Sequence, residues 1–246
     1  IVTGTDLTTL NTTGVVTIVG STVDSVKFAG GITHTAGSTV INGTLDADGA
    51  VQLGTTILSG TIKTTDDAIS LGNVTLTLDS TIDSGIAAGN IIIGTDVNPC
   101  TINSDAVATA RALTLTAGTG DISLTGDVGA TSPLASLTIT SSEALTFGNT
   151  LTVTGALTQS AVATGATTFT GTVSIGSGTL WGTAYNINNS FTVTSGNLEI
   201  TNTGVLTKSI TGNIALNGNG SSLTISDGGV GTGTISLGSN ITTSKG

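Results

Sequence analysis

The chain has 246 residues, of which 8% are charged and 2% aromatic, and its formal net charge is −10. Good helix formers such as Glu, Lys and Gln are scarce, which disfavours a helical fold, whereas the abundant Thr, Val and Ile favour strands. The five cations are scattered, so the composition disfavours nucleic acid as a partner. No apolar stretch approaches the roughly 20 residues that a membrane helix requires, so we expect no membrane insertion.

Short triplets with two apolar residues around a middle residue recur along the chain. Each is typical of a strand fragment whose alternate side chains point to opposite sides. Gly, Asn, Asp or Ser often follows within one or two positions and ends the strand in a turn. The triplets include those that begin at Val51, Ile69, Val74, Leu113, Ile122, Leu137, Leu145, Val173, Phe191, Leu198, Ile214, Leu223 and Ile235.

The spacing between triplets indicates a repeat. Nearly equal steps separate Val51 from Val74, Ile69 from Ile91, Ile91 from Leu113, Leu113 from Leu137, Ile122 from Leu145, Phe191 from Ile214 and Ile200 from Leu223. A period in the twenties is typical of a solenoid whose units bury their apolar faces against each other. We therefore predict an all-β fold, a right-handed parallel β-helix of about 10–11 coils of roughly 23 residues. A β-sandwich, the structural rival, would show strands at intervals of roughly 8–12 residues without this longer recurrence.

The predicted β-helix forms a single domain over residues 1–246. The chain contains no Met, and no leader sequence precedes Ile1. We therefore expect it to be a segment of a longer chain.

The sequence offers little catalytic chemistry, and we predict no catalytic residue and no enzyme. His34 is the sole imidazole, and Thr33 and Thr35 flank it, so we interpret it as a solvent-facing strand residue. Polysaccharide-cleaving β-helices need clustered carboxylates beside Arg or Lys, whereas the cations here fall in different coils. A polysaccharide-binding or polysaccharide-cleaving β-helix remains an alternative.

Six aspartates recur with a similar period. They form two sets with nearly equal internal spacing, Asp24, Asp46, Asp67 and Asp83, Asp105, Asp127. On a solenoid of this period each set would follow one edge, where Ca²⁺ between coils would offset the repulsion between stacked carboxylates. The other interpretation is that Asp accepts hydrogen bonds from backbone amides in equivalent turns. No cofactor other than this possible Ca²⁺ is predicted.

The segment that carries Trp181 and Tyr185 is the one irregular stretch. An exposed Trp–Tyr pair would suit the face of a sugar, so both residues are candidates for glycan contact. The alternative is that these aromatic residues cover a wider turn. Glycosylation sequons, which are expected in turns, begin at Asn11, Asn42, Asn73, Asn188, Asn219 and Asn240.

Thr-x-Thr pairs indicate a possible function of another class, ice binding. They occur at Thr75/Thr77, Thr114/Thr116, Thr138/Thr140, Thr152/Thr154 and Thr192/Thr194. An ice-binding β-helix would present such a pair in nearly every coil of one face, and here only the second and third pairs keep the period. Ice binding is therefore an alternative to a structural role.

Residues 126–139, which read GDVGATSPLASLTI, resemble a phrase of very large bacterial β-helical surface proteins. These are filamentous-haemagglutinin-like and autotransporter-like adhesins and surface-layer-type repeat proteins. The resemblance implies secretion, an extracellular or cell-surface location, and a role as scaffold, fibre, surface layer or adhesin stalk. We expect self-association end to end or laterally, or continuation of the same chain, and a carbohydrate or other cell-surface ligand.

Overall fold

The computed structural model describes residues 6–20, 25–160, 165–202, 208–210, 212–226, 235–237 and 241–243. This part of the chain contains strands and turns and no helix. The strands are β1 (Thr8–Thr9), β2 (Val15–Val19), β3 (Val26–Phe28), β4 (Ile32–Ala47), β5 (Val51–Thr64), β6 (Ile69–Leu71), β7 (Val74–Leu76), β8 (Ser80–Asp83), β9 (Ile91–Ile93), β10 (Ile102–Ser104), β11 (Ala112–Thr116), β12 (Ile122–Leu124), β13 (Ser136–Ser141), β14 (Leu145–Phe147), β15 (Leu151–Gln159), β16 (Ala166–Phe169), β17 (Val173–Gly182), β18 (Ala184–Ile187), β19 (Phe191–Val193), β20 (Leu198–Asn202), β21 (Lys208–Ile210), β22 (Ile214–Leu216), β23 (Leu223–Ser226), β24 (Ile235–Leu237) and β25 (Ile241–Thr243).

The strands stack in three parallel ladders, which we call the first, second and third faces. A typical coil crosses them in that order, as β12 lies on the first face, residue Val128 on the second, and β13 on the third. Strands β4 and β5 cross all three faces without interruption, and β15 and β17 cross the second and third. All the ladder pairings between these strands are parallel, so the chain is a β-solenoid with three strands per coil.

The predicted period is confirmed on the first face. Ten steps between paired residues lead from Thr8 in β1 to Ile235 in β24. The steps are unequal: the one from Val51 to Ile69 is among the shortest, and the one from Ile91 to Ile122 is the longest. Their mean is about 23 residues, and at about 4.8 Å per step the stack is about 50 Å long.

Not every spacing in the sequence joins ladder partners. The pairs Ile122–Leu145, Leu113–Leu137 and Phe191–Ile214 stack as predicted. In contrast, Val51 pairs with Ile69 on the first face, while Val74 pairs with Thr56 on the second. The spacing between Val51 and Val74 therefore matches the period only by coincidence, because the early coils are shorter than the average.

The interior is a continuous column of buried side chains. Along the first face Ile69, Ile91, Ile122 and Leu145 are successive ladder partners, and each is fully or almost fully buried. Aromatic rings fill the section that follows. The rings of Phe147 and Phe169 stack with centroids 5.0 Å apart, and Phe191 meets Phe169 edge to face at 5.4 Å. The favourable geometry of these ring pairs adds to the stabilisation from apolar burial.

Glycine permits close stacking where β4 and β5 bend from the second face to the third. Gly43 has φ +101° and lies against Gly20, and Gly60 has φ +142° and lies against Gly43. A Cβ on Gly43 would lie 1.9 Å from the carbonyl oxygen of Gly20. Any side chain there would force the coils apart, so only glycine fits this corner.

One coil is longer than the others because all three of its corners carry loops. The loops lie between β8 and β9, between β9 and β10, and between β10 and β11. Their tips expose Ile86, Val97 and Val107, with 86%, 95% and 67% of the residue accessible. Asp66, at φ +66°, anchors the first loop by accepting hydrogen bonds from the amides of Ile86 and Ala87 at 2.8 and 2.7 Å. The ladders continue above and below this coil, so the loops are insertions that leave the register intact.

We predict that removing one whole coil shortens the rod without unfolding it. Deletion of residues 122–144 brings Leu145 to the position of Ile122, its ladder partner, and should shorten the rod by about 5 Å. A deletion of residues 122–133 removes about half a coil and should abolish cooperative unfolding, because β13 then follows the wrong face. X-ray scattering and thermal unfolding by circular dichroism measure both outcomes; equal behaviour of the two deletions contradicts the register.

Candidate functional site

The first predicted set of aspartates does not form a carboxylate column. Asp24 lies outside the described residues, and Asp46 stacks on Lys63 of the next coil. Asp67 lies in the turn after β5, away from that column. The interpretation of stacked acids is therefore wrong for Asp46 and Asp67, since the register places a cation between consecutive acids.

The second set is divided among different positions of the coil. Asp83 ends β8 on the third face, Asp105 follows β10 on the second face, and Asp127 precedes Val128 at the opposite end of that face. The edge predicted from the even spacing does not exist, because the long coil shifts the period between these residues. Among the described residues, no three His, Cys, Asp or Glu side chains lie close enough to hold a metal ion together.

Several Asp and Asn side chains instead connect consecutive coils at the corners. Asp127 Oδ1 accepts a hydrogen bond from the amide of Thr150 at 3.1 Å, one coil further on. The same contact recurs from Asp121 to the amide of Ala144 at 3.0 Å. Further examples are the pairs Asn73 with Thr101, Asn90 with Asp121, Asp79 with Ala112, and Asn197 with Ser222. These side-chain oxygens accept hydrogen bonds from backbone amides at the corners. The acids therefore fit the interpretation that they serve turns, and not that they bind Ca²⁺.

The first coils of the third face carry a column of alternating charge. Lys27, Asp46, Lys63 and Asp83 are successive ladder partners. Lys63 Nζ lies 3.0 Å from Asp46, and Lys27 Nζ lies 3.0 Å from Asp48. The hydrogen bond to Asp48 raises the pKa of Lys27. Because both lysine side chains remain accessible to solvent, these pairs contribute to register more than to stability.

A third ion pair closes the loop between the second and third faces. Arg111 contacts both carboxylate oxygens of Asp105, at 2.9 Å through Nε and 3.2 Å through Nη2. The hydrogen bond from Arg111 lowers the pKa of Asp105. Asp105 therefore acts as the partner of a cation within its own loop.

The structure separates Trp181 from Tyr185. Trp181 points outward from β17 on the third face and is partly exposed, whereas Tyr185 is 0% exposed on the first face. The predicted exposed pair is therefore wrong, and Tyr185 cannot contact a surface glycan. The buried phenol donates to Oε1 of Gln159 at 3.3 Å, and Gln159 also bonds to Thr167. Burial raises the pKa of Tyr185.

His34 is likewise inside the solenoid, which contradicts its interpretation as a solvent-facing residue. It is 0% exposed, with Nε2 3.0 Å from the carbonyl oxygen of Thr12 and Nδ1 2.8 Å from the hydroxyl of Thr39. A carbonyl only accepts, so Nε2–H donates to it, and Nδ1 is left to pair with the Thr39 hydroxyl. The imidazole thus links three segments of two neighbouring coils.

The sequon asparagines within the described residues are exposed: Asn11, Asn42, Asn73, Asn188 and Asn219. Asn240 lies outside the described residues. Asn42 lies within strand β4 and accepts a hydrogen bond from Ser59 at 2.7 Å, so its predicted turn position is wrong. Asn73 is a corner residue whose oxygen is bound to Thr101, and Asn219 lies in a turn.

A column of outward threonines follows the third face, and we call it the threonine column. Its members are successive ladder partners over seven coils: Thr44, Thr61, Thr81, Thr114, Thr138, Thr158 and Thr179. Glu199 occupies the next position. The sequence pairs at Thr75/Thr77, Thr152/Thr154 and Thr192/Thr194 lie on or beside the second face instead. Within this column only two adjacent coils carry a Thr-x-Thr pair, those of Thr114 and Thr138. A register shift there pairs Thr116 with Ser141, so the second threonines of the two pairs are not ladder partners.

Three shallow grooves follow the corners of the solenoid. One of about 490 Å³ is lined by Val19, Leu78 and Asp79 among others, and one of about 350 Å³ by Asp96 and Pro99. The third, of about 300 Å³, includes Cys100, whose thiol pKa is raised by burial. None of these three grooves is lined by both an acid and a cation, which is the arrangement that a polysaccharide-cleaving site requires.

Comparison with known proteins gives no match: no family model, curated protein or solved structure is significantly similar to the chain. Among the described residues, no helix has the length and hydropathy that a membrane span requires. The class defined by the structure is that of parallel β-solenoids.

We predict that His34→Ala lowers the free energy of unfolding by about 3 kcal/mol. The change leaves a cavity and removes the partners of the Thr39 hydroxyl and the Thr12 carbonyl. The matched control is Thr33→Ala at the neighbouring outward position, which should stay within about 0.5 kcal/mol of the parent. Urea unfolding measures both variants; equal effects would contradict the internal position of His34.

We predict that Tyr185 does not ionise in the folded protein. Its folded pKa is raised, so the stability it contributes is complete below the unfolded value near pH ~10 and is lost as the pH rises above it. Because Tyr185 is the only tyrosine, phenolate absorbance reports it alone. The absorbance should rise together with alkaline unfolding, and Tyr185→Phe should unfold at higher pH. Phenolate formation before loss of the circular dichroism signal would contradict burial.

Proposed function

We propose that the chain is a non-enzymatic structural rod of an extracellular or cell-surface protein, acting as scaffold, fibre, surface layer or adhesin stalk. The observation that carries the proposal is the unbroken ladder of the first face, which passes through ten steps from β1 to β24. A filled core beneath a continuous ladder resists bending, because every coil is fixed to both neighbours by backbone hydrogen bonds. Such a rod sets a distance between its two ends.

The segment that resembles bacterial surface proteins has a structural explanation within this rod. Gly129 has φ +73°, and a Cβ on it would lie 2.2 Å from the carbonyl oxygen of Thr152. Val128 bridges Ile102 and Leu151, and residues 136–139 form most of β13. The phrase thus encodes one corner and one strand of a coil. It supports a shared architecture with adhesins and surface-layer proteins, and the surface location follows as part of the proposal.

The role predicts self-association or continuation of the chain, end to end or laterally. A parallel ladder offers unpaired backbone groups wherever it stops, and these groups pair readily with another strand. Lateral contact would use the uncharged parts of the faces. Sedimentation velocity over a range of protein concentrations measures this association.

We predict that the purified chain appears as rods about 50 Å long, or as multiples of that length joined end to end, in negative-stain electron microscopy. Antibodies raised against the chain should label intact cells of the source organism. The whole-coil deletion of residues 122–144 provides a matched control for length. Compact or flexible particles would contradict the rod, and labelling that appears only after permeabilisation would contradict the surface location.

A further inference from the structure

The third face contains an uncharged area between its charged column and Glu199. We call this area the hydroxyl platform. It consists of the outward residues of β11, β13, the end of β15 with Ser160, and the end of β17. The twelve residues are Ala112, Thr114, Thr116, Ser136, Thr138, Thr140, Ala156, Thr158, Ser160, Ser177, Thr179 and Trp181.

The hydroxyl groups at the centre of the platform repeat at a regular distance. Thr114, Thr138, Thr158 and Thr179 are successive ladder partners, so their hydroxyls recur about every 4.8 Å along the rod. Threonine is restricted about χ1, which keeps neighbouring hydroxyls in similar orientations. A ligand that matches this row must itself repeat at a similar distance and carry hydroxyl groups.

Central hydroxyls of the platform also lack hydrogen bonds to other groups that the structure describes. Other outward hydroxyls bond to the ladder, as Thr154 does to the carbonyl of Leu134 at 3.2 Å and Thr194 to that of Ile175 at 3.0 Å. Within the described part of the chain, the hydroxyls of Thr114, Thr138 and Thr158 form no such bond. They are therefore available as both donors and acceptors to a bound molecule.

Trp181 supplies an apolar surface at one end of the platform. It points outward two residues after Thr179 and pairs in register with Thr201 of the next coil. Its partial exposure leaves part of the indole open to solvent. An indole beside a row of hydroxyls is the combination that binds sugars, whose C–H faces pack on aromatic rings while their hydroxyl edges form hydrogen bonds.

The charge of the platform and of the whole chain favours a neutral polysaccharide over an anionic one. The platform has no charged member, and the acids Asp83 and Glu199 stand in register with its two ends. The whole chain carries a net charge of −10, which repels anionic polysaccharides. The platform thus fits a neutral, extended polysaccharide that lies along the rod axis.

We propose that the hydroxyl platform binds neutral, extended polysaccharides, with Trp181 stacking on a sugar ring and Thr138 and Thr158 bonding to successive sugars. This inference rests on the proposed surface role and names the ligand class that such a rod would adhere to. The sugars would come from a cell wall or an extracellular matrix that the protein meets.

The test measures depletion of the full chain from solution by insoluble cellulose and by insoluble chitin. Because Trp181 is the only tryptophan, its fluorescence can also follow titration with soluble oligomers of the same polymers. Trp181→Ala should weaken binding roughly fivefold or more, and Trp181→Tyr should retain most of it. Thr158→Lys should abolish binding by placing a long side chain in the central row. The matched controls are Thr146→Lys on the first face and Thr152→Lys on the second, which should bind like the parent.

Four results would overturn the inference. The first three are absence of binding to both polymers, equal loss in the platform variants and the two controls, and stronger binding to an anionic polysaccharide such as alginate. The fourth is thermal hysteresis that disappears in Thr158→Lys, without polymer binding, which would assign the platform to ice. Circular dichroism and X-ray scattering on every variant separate this test from the structural proposal. If the protein keeps its rod shape but does not bind the polymers, only the proposed ligand is contradicted, and the structural role is unaffected.

Discussion

The rest of the structure depends on the in-register parallel ladder, which places each residue about 4.8 Å from its counterpart in the neighbouring coil. Once the backbone amides of one coil bond to the carbonyls of the next, side chains can only stack on their counterparts. Inside the solenoid, this requirement creates the column of Ile69, Ile91, Ile122 and Leu145. Outside, it creates rows of hydroxyls and of alternating charges. Inside the core, Gln159, Thr167 and Tyr185 form a set of hydrogen bonds, because a buried polar group without a partner is costly.

The sequence predicts the fold well because the apolar triplets recur with nearly the same period as the ladder. It does not predict every partner, because the ladder fixes which strands pair but leaves the corner lengths free. The short step from Val51 to Ile69 and the long step from Ile91 to Ile122 produce equally good pairings on the first face. If one fixed period is assumed, Val51 aligns with Val74, and the acids Asp83, Asp105 and Asp127 fall on one edge. The short early coils remove the first alignment, and the loops of the long coil remove the second.

The inward and outward positions were partly available from the sequence. Side chains alternate along a strand, so a residue two positions from a core aliphatic also points inward. His34 follows Ile32 by two positions and Tyr185 precedes Ile187 by two, and all four are buried. Trp181 is adjacent to the buried Leu180 and therefore points outward. Their shared irregular segment suggested that the two large aromatics act together. Alternation within each of the two strands instead places Trp181 outside the solenoid and Tyr185 inside it. The threonine column needed the three-dimensional register, since its members are separated by irregular intervals.

The long coil described above shows how such a molecule can acquire new recognition elements. Its loops occupy all three corners of one winding, and Val97 at one tip is 95% accessible. Foreign peptides grafted at these tips would form a ring of epitopes around the shaft, while the neighbouring windings keep their pairing. Gene duplication of a whole winding adds length, and insertion at a corner adds specificity. Evolution can therefore adjust reach and recognition independently in the same molecule.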